Sequence, residues 1–411
     1  MVCALAATSA AARAGDDPYC NVAAPPKLGL TEVAREQVSA RVLDLLVHSQ
    51  AMQSDQHVDV LLPSGYDPSR RYPELYLLHG AFGTYHDWVD HGVEKLVGDR
   101  QMIVVMPDDG PDGSYSDWYG TLAGTSDPPP MWESYHVGEL VPWIDAHFPT
   151  SGTRYVAGLS SGGGGAMKYA AEHPGLFAAA GGFSGAVDTD LSWPIYPATS
   201  ELLWLATLIP GFGPDGHCTW GDFSTQQVIW RDNEATYKAE NLRGTALFLA
   251  SGDGTQGEYD ASPTFDPTEW TVWQMNQSLV AALDGYGIPH TDFFYGHGTH
   301  TWPYWTRDLE HFLAWLHPGT PPKSFSFRSA HRTFSPWGWT FTPHRAVREF
   351  TYLSDVTRRG FEVTGSGTLD ITTPWGRRLT VDLGPSHTEQ QSDFGDHATD
   401  SWVHKRVVFG R

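Results

Sequence analysis

The chain has 411 residues, 40% of them hydrophobic and 18% charged, which suits one large folded domain plus a smaller one and excludes an intrinsically disordered chain. Its formal net charge of −22 repels phosphate backbones and so excludes a nucleic-acid partner. No apolar run approaches ~18 residues, so no transmembrane segment is expected.

Residues 1–14 (MVCALAATSAAARA) are small and apolar and end on Ala12-Arg13-Ala14, an A-x-A-type cleavage site. They read as a partial signal peptide without its basic start, which predicts a secreted or cell-envelope-associated protein. With Cys3 in the leader, Cys20 and Cys218 remain, an even pair compatible with one disulfide. Residues 15–40 read as an N-terminal extension. Residues 41–48 and 57–62 then read as an antiparallel pair, and 74–80 and 102–107 as buried strands. A helix is expected over 131–148, a strand over 154–160 with a helix directly behind it, and strands over 177–185, 245–252 and 292–296. A helical pattern covers 268–285. This alternation predicts, over 41–317, a mainly parallel sheet with helices on both faces, the α/β class. The Trp-, Pro- and Gly-rich stretch 186–225 interrupts it as a lid-like insertion. After the Pro-rich linker 318–323 the pattern changes to short runs of period two, a small all-β, sandwich-like C-terminal domain over 324–411. Trp337 and Trp339 within it read as core before they read as sugar contacts.

The strongest chemical signal is Gly158-Leu159-Ser160-Ser161-Gly162. A G-x-S-x-G between a strand and a Gly-rich helix start is the setting of a nucleophile elbow, in which small residues allow the sharp turn that lifts the Ser160 hydroxyl above the sheet. A serine nucleophile needs a base, and the base an orienting carboxylate, in the order Ser, acid, His. His300, in the loop after the last expected strand, is the base, with His297 as its rival. Asp253, Asp260, Asp266 and Glu269 all lie where the acid can come from. Asp253 directly follows a strand, and Glu269 opens the helix 268–285. The backbone N–H groups of Ser161 and Ala81 are the expected oxyanion donors. Neither a metal nor a cofactor is expected. The His297–His300 pair has no third ligand at a suitable spacing, and the 108–117 loop (DDGPDGSYSD) lacks the Glu that closes a calcium loop. Trp118, in SDWYG, is a candidate pocket residue.

At YLLHGAFGTYHDW (76–88), VVMPDDGPDGSYSDWYG (104–120), GLSSGGGGA (158–166), WGD (220–222), GDGT (252–255) and GHGTHTWPYW (296–305), the chain resembles the esterase family of α/β-hydrolases that includes the mycolyltransferases. The resemblance runs over about two thirds of the chain, roughly 41–316. It implies Ser160 as nucleophile, His300 as base, Glu269 ahead of Asp253 as acid, Ala81 and Ser161 as oxyanion donors, and Trp302 beside an acceptor-sugar site. One departure is clear. Mycolyltransferases hold trehalose with an Asp before the Gly of the first loop and an Arg shortly after it, where this chain has His79 and Phe82. That weakens a trehalose acceptor and leaves the acyl chemistry untouched. The expected substrate is a small-molecule or glycolipid ester contacted by Trp302, Phe82 and Trp118. Hydrolysis is the first reading and acyl transfer to a sugar or glycerol hydroxyl the alternative. A non-catalytic cell-envelope binding module is the third.

Overall fold

The structure, a computed structural model, describes residues 19–111, 113–189, 218–222, 225–261, 265–345, 348–386 and 403–409. In chain order its first strands are β1 (Cys20–Val22), β2 (Leu30–Gln37), β3 (Val42–Ser49), β4 (Ser54–Leu61), β5 (Tyr72–Leu78), β6 (Ile103–Pro107), β7 (Gly120–Leu122), β8 (Thr150–Leu159), β9 (Ala179–Phe183), β10 (Ala246–Gly252) and β11 (Thr291–Gly296). β1 and β7 pair with each other, and the rest form one nine-stranded sheet in the order β11-β10-β9-β8-β5-β6-β4-β3-β2. Every neighbouring pair from β6 across to β11 is parallel. The β2–β3, β3–β4 and β4–β6 pairs are antiparallel.

The helices are α1 (Asp87–Asp90), α2 (Val93–Val97), α3 (Val141–His147), α4 (Ser161–Glu172), α5 (Gln227–Asp232), α6 (Pro267–Gly285) and α7 (Trp302–Trp315), with a π-helical stretch, Ser134–Leu140, leading into α3. They cover both faces of the sheet. Strand side chains alternate, so Leu75 and Leu77 of β5 enter one core with Trp88, Leu309 and Phe312, while Tyr76 and Leu78 enter the other with Ala166, Leu249 and Leu279. A strand buried on both faces reads as an unbroken apolar run, as ELYLL does. This is the α/β-hydrolase architecture expected above. The sheet holds one strand more than the pattern suggests. β2 (LTEVAREQ) is exposed along almost its whole length, so it carries none of the alternation by which a half-buried strand is recognised. Cys20 and Cys218 form a disulfide with their Cα atoms 5.7 Å apart. The leader 1–14 and most of the insertion 186–225 lie outside the described residues.

The C-terminal strands are β12 (Phe325–Ser329), β13 (Thr340–His344), β14 (Thr351–Thr357), β15 (Gly360–Gly365), β16 (Thr368–Thr372), β17 (Arg378–Asp382) and β18 (Val403–Val408). They make two antiparallel sheets, β12-β14-β15-β18 and β13-β16-β17. One apolar cluster fills the space between them, including Phe327, Trp339, Phe341, Val363 and Ile371. Trp339 is therefore core. Trp337 packs over Gly175 and Gly244 of the α/β unit, and its N–H donates to the Pro174 carbonyl.

Charged and polar bonds dock this β unit on α4 and α5. Asn241 exchanges two hydrogen bonds with the backbone of Arg328, and the Ala330 N–H donates to Asp232. His331 Nε2 lies 3.3 Å from carboxylate oxygens of both Glu172 and Asp232, and Arg348 lies 3.2 Å from Asp232. Burial opposes charge on His331, but the Asp232 and Glu172 carboxylates prevail and raise its pKa from 6.5 to about 9. A pKa raised in the folded state stabilises fully below the unfolded value near 6.5 and loses that contribution as pH rises through about 9. His331→Gln is expected to lower stability at pH 7 by on the order of 3 kcal/mol, the typical loss from breaking a buried ion pair. Urea unfolding at pH 7 and pH 10 checks this. The wild type should lose its margin over the variant across that interval, and a margin that persists at pH 10 contradicts the assignment.

Candidate active site

Ser160 lies between β8 and α4 at φ 54° and ψ −121°, a conformation that a non-glycine residue adopts only under constraint. The glycines around it permit the turn. A Cβ on Gly158 would lie 2.4 Å from the Gly162 carbonyl oxygen, and one on Gly162 would lie 2.3 Å from that of His79. The Ser160 N–H donates to the Phe183 carbonyl at 2.9 Å, and its own carbonyl accepts from the N–H groups of Gly164 and Ala186. The hydroxyl is thereby presented at the carboxyl edge of the sheet.

There the Ser160 hydroxyl donates to His300 Nε2 at 2.8 Å, and His300 Nδ1–H donates to Glu269 Oε2 at 2.7 Å. The order Ser, acid, His expected above is present as one hydrogen-bonded chain. Glu269 is fully buried on the first turn of α6. Its other oxygen accepts from the Gly252 N–H at 2.7 Å and the Ser184 hydroxyl at 2.9 Å, and Ser184 in turn accepts from the Trp305 indole N–H. A buried carboxylate is tolerable only when its lone pairs are satisfied in this way.

Asp253 lies elsewhere. Its carboxylate accepts from the N–H and hydroxyl of Thr255, which closes its own turn. His297 likewise bonds Thr255 through Nδ1 and is not part of the chain on Ser160. Asp260 accepts from Thr299, Gly257 and Tyr304. Burial pushes its carboxyl up, but these donors hold it below the ordinary value. Asp266, named above among the positions for the acid, caps α6 through the N–H groups of Thr268 and Glu269 and accepts the His300 N–H at 2.8 Å. One side chain thus sets both the acid's helix and the base's loop. The signal was the dipeptide Asp266-Pro267, an N-cap followed by proline at the first helical position.

No hydrogen bond engages the backbone N–H of Ala81 or of Ser161 among the described residues. The loop that carries Ala81 is held from beneath by His79, which is 2% exposed. His79 Nδ1 donates to the Gly80 carbonyl at 2.8 Å, and Nε2 accepts the Asp109 N–H at 2.9 Å, so one tautomer satisfies both partners. The residue that replaces a sugar-binding Asp in the resemblance is thus turned inward.

The cleft in front of Ser160 holds about 350 Å³. Ala81, Phe82, Asp87, His300, Trp302 and Trp305 are among its lining. Phe82 is 59% exposed at the rim. Trp302 is clamped as a flat wall, stacked on His91 at 3.6 Å between ring centres and edge-on to Trp88 at 5.0 Å. Trp118 does not line this cleft. Its indole N–H donates to the Gly113 carbonyl, and the side chain fixes that loop.

A family model described as "Putative esterase" matches residues 49–316. An esterase of Mycobacterium tuberculosis is 32% identical over 277 residues, covering 64% of this chain and 56% of the relative, so the chain spans little more than half that protein's length. A protein named diacylglycerol acyltransferase/mycolyltransferase Ag85B, from Mycolicibacterium smegmatis, is 28% identical over 278 residues, covering 65% of this chain and 81% of that one. Among solved structures, MPT51 of M. tuberculosis superposes with a TM-score of 0.53 at 22% identity over 67% of this chain and 97% of its own. An S-formylglutathione hydrolase of Agrobacterium tumefaciens gives 0.53 at 18% identity over 69% and 97%. At such identities the two structures speak to the fold alone.

The geometry makes a reactivity prediction. A fluorophosphonate probe should modify the wild type and the Ser161→Ala variant but not Ser160→Ala, as intact-mass spectrometry would report. Glu269→Gln should slow modification by on the order of 10³ through loss of the correct His300 tautomer. Asp253→Asn should leave it within about threefold, and a reversal of those two results would return the acid to the strand end.

Proposed function

The chain belongs to the esterase family matched over residues 49–316, and on that premise we propose that it is a serine carboxylic-ester hydrolase acting through an acyl-enzyme on Ser160. The observation that carries the reading is the unbroken Ser160–His300–Glu269 hydrogen-bond chain at 2.8 and 2.7 Å, facing a cleft lined by Ala81, with the backbone N–H groups of Ala81 and Ser161 unengaged among the described residues. Ser160 Oγ attacks the ester carbonyl while its proton passes to His300 Nε2. Glu269 keeps the Nδ1–H tautomer and stabilises the imidazolium. The negative charge developing on the carbonyl oxygen is met by the N–H groups of Ala81 and Ser161, aided by the positive end of α4. The imidazolium protonates the departing alcohol. Water then enters, gives a proton to His300, and attacks the acyl carbon to release the acid.

The substrate is read as a small-molecule or lipid ester whose alcohol side faces Trp302 and Phe82. The Cys20–Cys218 bridge supports an oxidising compartment, and with the leader supports secretion or envelope association. Transfer of the acyl group to a sugar or glycerol hydroxyl is the second reading. It is favoured by the flat, immobilised face of Trp302, a surface suited to stacking a sugar ring. The buried, fully engaged His79 weighs against a trehalose site built as in the mycolyltransferases.

Release of p-nitrophenol from a short-chain acyl ester tests the reading. Ser160→Ala should lose on the order of 10⁶ in kcat. Hydrolysis unaffected by added trehalose or glycerol supports the esterase. Acceleration with appearance of an acylated polyol supports the transferase. A wild type that neither turns over nor forms an adduct at Ser160 overturns both.

A further inference from the structure

The two expected oxyanion donors sit on separate segments. Ser161 begins α4, and Ala81 lies on the loop after β5. A charge-stabilising pair works only if its spacing is held to within a fraction of an ångström, so something must brace the loop against the helix. One contact is direct, since Gly162 lies against the His79 carbonyl. The other runs through a buried ammonium.

Lys168 lies on α4, two turns beyond Ser161, and its side chain is 3% exposed. Its Nζ donates to the Tyr115 carbonyl at 2.6 Å and to Glu133 Oε2 at 2.8 Å. Tyr115 is fully buried at φ 49°, in the left-handed region that a tyrosine rarely adopts. Backbone and ring contacts hold it there. Its carbonyl accepts from Lys168, its N–H donates to Asp109 Oδ2 at 3.2 Å, and its ring fills the space where a Cβ on Gly165 would stand. From that posture the Tyr115 hydroxyl donates to the His79 carbonyl at 2.7 Å. His79 in turn donates to the carbonyl of Gly80, the neighbour of Ala81. A strut therefore runs from α4 through Lys168, Tyr115 and His79 to the donor loop.

We propose that Lys168 is a positioning residue that sets the spacing of the Ala81 and Ser161 oxyanion donors through Tyr115 and His79, a role that rests on the acyl-enzyme reading above. Lys168 touches no reacting atom. A merely structural lysine would affect folding and leave the transition state alone, whereas a brace of the oxyanion donors must act on transition-state binding.

Lys168→Met alone strands the buried Glu133 carboxylate, so the informative variant is the neutral pair Lys168→Met with Glu133→Gln. Tyr115→Phe is the second arm, because it removes only the hydroxyl on His79 and leaves the ion cluster intact. Removing one oxyanion donor outright typically costs 10²–10³ in kcat, and displacing it should cost roughly tenfold. Both variants are expected to lose about that much kcat on a p-nitrophenyl ester with KM within about twofold. A trifluoromethyl ketone, which forms a tetrahedral oxyanion on Ser160, should bind more weakly by the same factor as kcat/KM falls. Lys238→Met with Asp232→Asn, a pair in the same cluster that forms no ion pair with Lys168 among the described residues, should alter the urea midpoint and leave kcat within about twofold. Variants that fold with unchanged kcat and unchanged ketone affinity overturn the proposal. A fall in kcat matched by the Lys238 pair does so as well, because it shows only a general loosening. A wild type without a Ser160 adduct instead overturns the acyl-enzyme reading beneath it.

Discussion

A serine held at φ 54° and ψ −121° is the constraint on which the α/β half of the molecule depends. Such a conformation costs of order 1–3 kcal/mol and survives only where the surroundings over-determine it. Here β9 takes the Ser160 N–H through Phe183, and the chain just beyond β9 bonds its carbonyl through Ala186. The four glycines that follow Ser161 are poor helix formers, each about 1 kcal/mol worse than alanine. Their absent side chains nevertheless let α4 lie directly on the His79 carbonyl, on Gly185 and Ala186, and on the Tyr115 ring. Helix propensity is given up along one turn so that backbone can approach backbone where Ser160 is presented.

The same edge of the sheet decides which carboxylate faces His300. Asp253 stands at the end of β10, yet its oxygens are occupied by Thr255. The strand end serves instead as a donor, because the Gly252 N–H points at Glu269. Glu269 is placed by the helix that carries it, and Asp266 sets that helix by capping α6 and bonding the His300 N–H with the same carboxylate. Glu269, the His300 loop and the Asp266 cap are parts of one local geometry. Trp305 stands edge-on to His300 at 4.9 Å.

Much of this was legible in the residues. The buried parallel strands announce themselves as apolar runs, and the elbow as G-x-S-x-G in a strand–turn–helix setting. Ser160 and His300 follow from that setting and from chain order. Glu269 over Asp253 did not follow from spacing alone. It came from the family resemblance, because both carboxylates stand at equally plausible distances along the chain. β2 was illegible because an edge strand exposed on both faces has no hydrophobic period to read. The inward turn of His79 was illegible for another reason. Which partners a histidine satisfies depends on Asp109 and Tyr115, some thirty residues on, and no local pattern encodes that meeting. Trp118 was misplaced toward the cleft on the same ground, since a Trp beside a loop serves equally to line a pocket or to pin the loop.

The charge distribution shows why the β unit is more than an appendage. The chain has only six lysines against a net charge of −22, and two of them, Lys168 and Lys238, are buried side by side. Lysine is almost never buried without partners. Here Glu133, Glu172 and Asp232 supply three buried negative charges, and the two lysines with a protonated His331 supply three positive ones. Arg348 adds a further cation beside Asp232, and His331 is the one that Glu172 and Asp232 share. Two cations of this set, His331 and Arg348, therefore come from the C-terminal β unit, while Glu172 ends the helix that begins at Ser161. A unit tethered only by a linker and an apolar patch could slide or detach at modest expense. One that completes a buried charge set on the helix following Ser160 is held in place, because a displacement draws His331 and Arg348 away from the Glu172 and Asp232 carboxylates.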